Sequence, residues 1–222
     1  MTAHPKICPT TGEMHFFGYG NLFEPHVSYH RVDANGELII NRPVDVKALT
    51  MMHDFALTAE HVIFMDLPIV FNMELAAKGG GGMPYRWDDE YGARLGVLRR
   101  DDPFGEIRWF EIDPCYVFHV ANAHDALAAG GGNSIVLQVA RYPELWRHNG
   151  DFDINATIWT WTIDLQKGTV SEQQLNDRGM EFPRIDDRLV GLPARYAVSA
   201  SRDKLVRHDL RCISNLLVET GT

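Results

Sequence analysis

The chain has 222 residues, a formal net charge of −9 and no basic run, which excludes a nucleic-acid partner held through its phosphates. Hydrophobic residues make up 45%, an ordinary share for a packed globular domain, and no apolar run is long enough to span a membrane as a helix. Cys8, Cys115 and Cys212 follow no pattern, so a reducing compartment and no disulfide framework are expected.

The opening MTAHPKICP is polar and proline-containing and lacks the apolar core of a secretory leader, which together with the cysteines points to a cytoplasmic location. Strand signals then dominate. MHFFGYG, HVSYHRVD and GELIINRPVDV are short β-branched and aromatic runs bounded by turn residues. Between the last two, DANGE at 33–37 predicts a hairpin turn, with Asn35-Gly36 as the usual pair for positive φ. HVIFMDLPIVFN follows, and NMELAAKGGGG predicts one helical turn stopped by Gly79 to Gly82. That glycine run has no following Lys-Ser/Thr and no strand-to-helix setting, so it reads as a loop and not as a phosphate cradle. RLGVLRR, IRWFEID, CYVFHVANA, SIVLQVARY, TIWTWTIDL and RYAVSAS continue the strands. YPELWRH predicts a second short helix, Gly130 to Gly132 a loop, and Lys167-Gly168 a second hairpin turn. An all-β fold follows; this strand spacing suits a sandwich, a barrel or a propeller, and periodicity does not choose among them.

Histidines carry the chemistry. His4, His53 and His119 sit in strand-like contexts far apart in the chain, so only a tertiary fold brings them together. Scattered neutral imidazoles without neighbouring cysteines suit an iron site better than a structural zinc finger, whose ligands come in close pairs. Three unrelated surface or packing histidines are the alternative. His15, His26, His30, His61, His148 and His208 match no ligand motif; His26 and His30 are four apart, but Pro25 and the strand-like context deny them a helical face, and Asp88, Asp89, Glu90, Asp101 and Asp102 read as charged loop positions. No G-x-S-x-G elbow and no C-x-x-C occur, and a zinc hydrolase would lack a carboxylate base at a known spacing.

In order, AHPKICPTTGE, TMMHDFALTAEHVIF, CYVFHVANAHD and MEFPRID resemble the motif series of the carotenoid cleavage oxygenases, over residues 1 to about 210. The resemblance implies a seven-bladed β-propeller, here present only in part. It implies a non-haem Fe(II) held by four axial histidines, and dioxygen that splits a conjugated double bond of a carotenoid, apocarotenoid or stilbene into two carbonyl products. His4, His53 and His119 match the first three ligands; the pattern Phe-His-x-x-Asn selects His119 over His124. Glu181 in MEFPRID matches a glutamate that orients His119. Cys8 stands where Asp or Asn is more usual. The fourth histidine and the glutamate that would orient His53 have no counterpart here. Residues 1–222 are therefore expected to be part of a single propeller oxygenase domain that lacks its N-terminal and C-terminal segments. The expected partners are an apolar small-molecule substrate, dioxygen and the surface of a membrane, touched peripherally. Phe16, Phe17, Phe71, Trp109 and Phe118 are candidate tunnel liners, with ordinary core as the alternative. An inactive propeller fragment or binding module is the rival function.

Overall fold

The computed structural model describes residues 2–78, 82–128, 131–147, 155–202 and 204–211, and the backbone of 218–220. The chain is all-β, built of consecutive four-stranded antiparallel sheets that form part of a β-propeller. The first sheet runs β1 (Lys6–Ile7), β2 (Met14–Tyr19), β3 (Val27–Val32), β4 (Leu38–Val44) in spatial order. The second begins with β5 (Ala56–Leu57) and β6 (His61–Asp66). A two-stranded excursion, β7 (Ile69–Phe71) and β8 (Tyr85–Trp87), flanks the helix α1 (Met73–Lys78). The chain then returns as β9 (Ala93–Arg99) and β10 (Arg108–Ile112), giving the order β10-β9-β6-β5. β11 (Tyr116–Leu127), β12 (Asn133–Tyr142), β13 (Thr157–Asp164) and β14 (Thr169–Gln174) make the third sheet. β15 (Glu181–Arg184), β16 (Tyr196–Ser201), β17 (Lys204–Asp209) and β18 (Val218–Thr220) make the fourth.

The core lies between the sheets. Phe17, Val27, Tyr29, Phe55, Val62 and Phe64 fill the space between the first and second sheets. A larger cluster, with Leu95, Tyr116, Ile135, Leu137, Trp161 and Val206 among its members, joins the second, third and fourth. Successive side chains of a strand point to opposite faces, so a sheet packed on both sides reads as a nearly continuous apolar run. HVIFMD in β6 is such a run, buried at every position. The first strand of each sheet in chain order comes from a motif region, and β11 touches both β5 and β15.

The hairpin at 33–37 forms, with the Asp33 carboxylate accepting the amides of Asn35 and Glu37. Only Gly36 of the expected pair takes a positive φ, at 92°. The Lys167-Gly168 turn forms in the same way, with Gly168 at φ 74°. YPELWRH is not helical: Trp146 takes φ 54°, which a right-handed helix forbids, and Leu145 and Trp146 turn into the core. β1, β5, β8, β14 and β15 are too short or too polar to announce themselves in the sequence. Phe17 and Phe118 are buried core, while Phe71 and Trp109 pack at its border. Cys8 and Cys115 are free and buried; Cys212, His148, Gly79 to Gly81 and Gly130 lie outside the described residues. Among those described, no helix is long and apolar enough to cross a membrane.

Candidate metal centre

His4 and His53 sit in irregular segments leading into β1 and β5, not on strands as their context suggested, and His119 sits within β11. The fold brings all three together. Their ring centroids are 4.9 Å (His4–His53), 4.8 Å (His4–His119) and 5.2 Å (His53–His119) apart. One nitrogen from each ring lies within 4.8 Å of the others. His124, further along β11, is not in the cluster, and among the described residues no fourth imidazole joins it.

Local structure aims each ring. The β11–β12 register shifts on both sides of Val120, and such an irregularity re-aims side chains beside it, His119 included. His119 Nδ1 is hydrogen-bonded at 2.8 Å to Glu181 Oε2, which leaves Nε2 for the centre. The same carboxylate oxygen accepts the amide of Phe182, a non-glycine residue held at φ 51°, whose ring lies 4.6 Å from that of His119. The Tyr142 hydroxyl adjoins Glu181; burial first, and then this carboxylate, raise the phenol's pKa. Thr2 joins the other two segments: its hydroxyl donates to the His53 carbonyl at 2.8 Å and accepts the His4 amide at 3.2 Å. The Phe118 ring, 5.3 Å from His53, closes one side.

The donor set suits a divalent cation. His4 Nε2 and His53 Nε2 are 3.1 Å apart, a spacing at which two lone pairs repel unless a proton or cation lies between them. Burial pushes the His53 imidazole down to about 4, with help from His119 and His4. Burial also lowers His4, against the opposing pull of Asp54. Both rings are therefore neutral near neutral pH, the form a metal needs.

A second grouping, Glu60, His61 and Asp125, escaped the sequence reading because His61 looks like any other residue of an apolar strand. Here Asp125 accepts from Thr58 Oγ1 at 2.9 Å, from His61 Nδ1 at 2.8 Å and from the Glu60 amide at 3.0 Å. With its lone pairs engaged by three donors, the carboxylate clamps the β5–β6 hairpin to the end of β11. His61 also lines a cavity of about 870 Å³ with Arg31, Glu60, Arg99, Arg100 and Arg108; none of the three clustered histidines lines it. Asp89 and Asp101 are exposed loop residues, as expected, and pair with Arg147 and Arg99.

The family model described as retinal pigment epithelial membrane protein matches residues 1–222. The chain belongs to this family, the carotenoid cleavage oxygenases. It is 32% identical over 236 residues to a carotenoid cleavage oxygenase of Mycobacterium tuberculosis, covering 88% of this chain and 47% of that protein. It is 34% identical over 216 residues to a carotenoid 9,10(9',10')-cleavage dioxygenase of Crocus sativus, covering 93% of this chain and 38% of that one. The chain thus spans about half or less of the curated relatives' length. The fold of this carotenoid oxygenase chain is that of solved structures. A lignostilbene dioxygenase of Pseudomonas brassicacearum superposes with a TM-score of 0.81 at 24% identity, over 99% of this chain and 51% of that one. A cobalt-substituted apocarotenoid oxygenase of Synechocystis gives 0.82 at 24% identity, over all of this chain and 50% of the other.

Proposed function

We propose that His4, His53 and His119 hold a ferrous ion and that the centre serves oxidative cleavage of a conjugated carbon–carbon double bond. The substrate in this reading is a carotenoid, an apocarotenoid or a stilbene, and the products are two carbonyl compounds. The observation that carries it is the convergence of three imidazoles, one of them fixed by Glu181, in a chain of the carotenoid oxygenase family. Bound there, iron would supply the activation of dioxygen toward an electron-rich alkene. The residues of the chain bind and orient: Glu181 fixes the tautomer of His119, Thr2 sets the spacing of the His4 and His53 segments, and Phe118 shields the centre from water. We extend the proposal to a cytoplasmic protein in peripheral contact with membrane, where such a substrate dissolves; Phe23, 85% exposed beside exposed Leu22, is an apolar surface element suited to that contact.

The test is anaerobic loading of the chain with Fe(II), followed by dioxygen and either an apocarotenoid or a hydroxystilbene. Iron uptake that requires all three histidines is expected. Because only three imidazoles converge among the described residues, turnover is expected well below the order of 1 per second of an ordinary enzyme. Iron uptake without aldehyde would favour the second reading, a metal-binding propeller module. Failure of the intact triad to take up iron overturns the assignment.

A further inference from the structure

We propose that Asp54 is the positioning residue of the histidine centre, a buried carboxylate that locks the three ligand-bearing segments into one frame. This rests on the metal reading above and goes beyond it. Asp54 is 2% exposed. Its Oδ1 pairs with Lys6 Nζ at 2.9 Å and accepts the Phe55 amide at 2.8 Å. Its Oδ2 accepts the Val120 amide at 2.9 Å. Lys6 belongs to the first sheet, Val120 to the third, and Phe55 to the segment that enters the second. Lys6 lies two residues after His4, Asp54 directly follows His53, and Val120 directly follows His119. One side chain thus touches the backbone neighbourhood of every imidazole in the cluster.

The chemistry needs a carboxylate. Three donors converge on two oxygens, and one of them is an ammonium. Asparagine would turn its own N–H groups toward either the Val120 amide or Lys6 and Phe55, setting donor against donor. The Val120 amide lies where the β11–β12 ladder shifts register, so Asp54 supplies an acceptor at the irregularity that aims His119. Lys6 in turn anchors a segment that makes no ladder contact until β1 begins. Asp54 is buried and engaged by protein donors, so it acts through the histidines.

The test uses the full chain with Co(II) as the probe, read by its visible absorption, and ¹⁵N-imidazole signals of the metal-free chain. Asp54→Asn is expected to weaken Co(II) binding about 10–100-fold, as loss of an orienting partner does. Lys6→Met, which removes one arm only, should weaken it by about 10-fold and move the His4 signals. Asp54→Glu, which keeps the charge, should recover part of the affinity. Ile163→Val, in the core of the third sheet, is the control: it should lower the melting temperature and leave Co(II) binding intact. Should Asp54→Asn fail to fold, Lys6→Met decides. Wild-type affinity and unmoved imidazole signals in the folded variants overturn the proposal, as does a loss of affinity that merely follows melting temperature through the Ile163 control. If the unmodified chain takes up no Co(II), the metal reading fails separately. The imidazole signals then decide alone: displaced signals support the positioning role and unmoved ones overturn it.

Discussion

The Glu181–His119 pair shows how one carboxylate decides what an imidazole can do. With Nδ1 engaged, His119 has a single free nitrogen and a single direction. Glu181 is itself held by the Phe182 amide, at the cost of a left-handed φ of 51° in a residue with a side chain. Such strain persists where the surroundings over-determine it, and it clusters at functional sites. Glu181→Gln keeps the shape and removes the charge, so metal affinity measured by equilibrium dialysis should fall about 10–100-fold. His119→Ala should abolish binding, since it removes a donor outright. Equal effects of the two substitutions would show that Glu181 does more than orient.

At the scale of elements, β9 and β10 show how a sheet makes room for a large side chain. Gly96 in β9 pairs with Trp109 in β10, and a Cβ there would meet the Trp109 ring at 2.7 Å and Ile107 at 2.9 Å. The Arg94 guanidinium covers the same indole at 3.9 Å. Neither strand can shift freely, because β9 also pairs with buried β6. Gly96→Ala should therefore destabilise by roughly 1–3 kcal/mol, the usual penalty of overpacking, read from urea unfolding. The fourth sheet shows the opposite case. On the face of β16 and β17 that turns inward, Ala197, Ser199, Val206 and His208 are buried. On the other face, Tyr196, Val198 and Leu205 are exposed, with the Arg207 guanidinium over the Tyr196 ring. Exposed apolar side chains grouped on one sheet face invite association. The chain should sediment as an oligomer at micromolar concentration, and Val198→Lys with Leu205→Lys should shift it toward monomer. A wild-type chain that is monomeric under these conditions contradicts this.

For the whole molecule, buried neutral histidines set the acid limit. Burial holds His15 at about 3, with help from Arg100 and Arg31, and His208 at about 4, both below the ordinary 6.5. A depressed pKa in the folded state means that the unfolded chain binds more protons on acidification. The stabilisation is complete above about pH 6.5 and is lost as pH falls toward about 4 for His208 and about 3 for His15. Each unit of depression is worth at most about 1.4 kcal/mol. The melting temperature should be level above about pH 7 and fall steadily toward about pH 4.5; a flat profile across that range would contradict the burial argument.

The sequence by itself determined the all-β class, the two hairpin turns and the family motifs, because these depend on short-range alternation, glycine placement and local residue order. It named the three histidines and Glu181 through the resemblance, since spacing alone left them unrelated. Only the tertiary structure decided that they meet. The inward direction of His4, His53 and His119 depends on segments from different sheets, on the irregularity at Val120 and on the bond from Glu181. None of these is local. Asp54 and His61 were invisible for the same reason: each looks like a neighbour of something else in one dimension. Their partners, Lys6 and Val120 for the first and Asp125 for the second, are assembled only when the sheets pack.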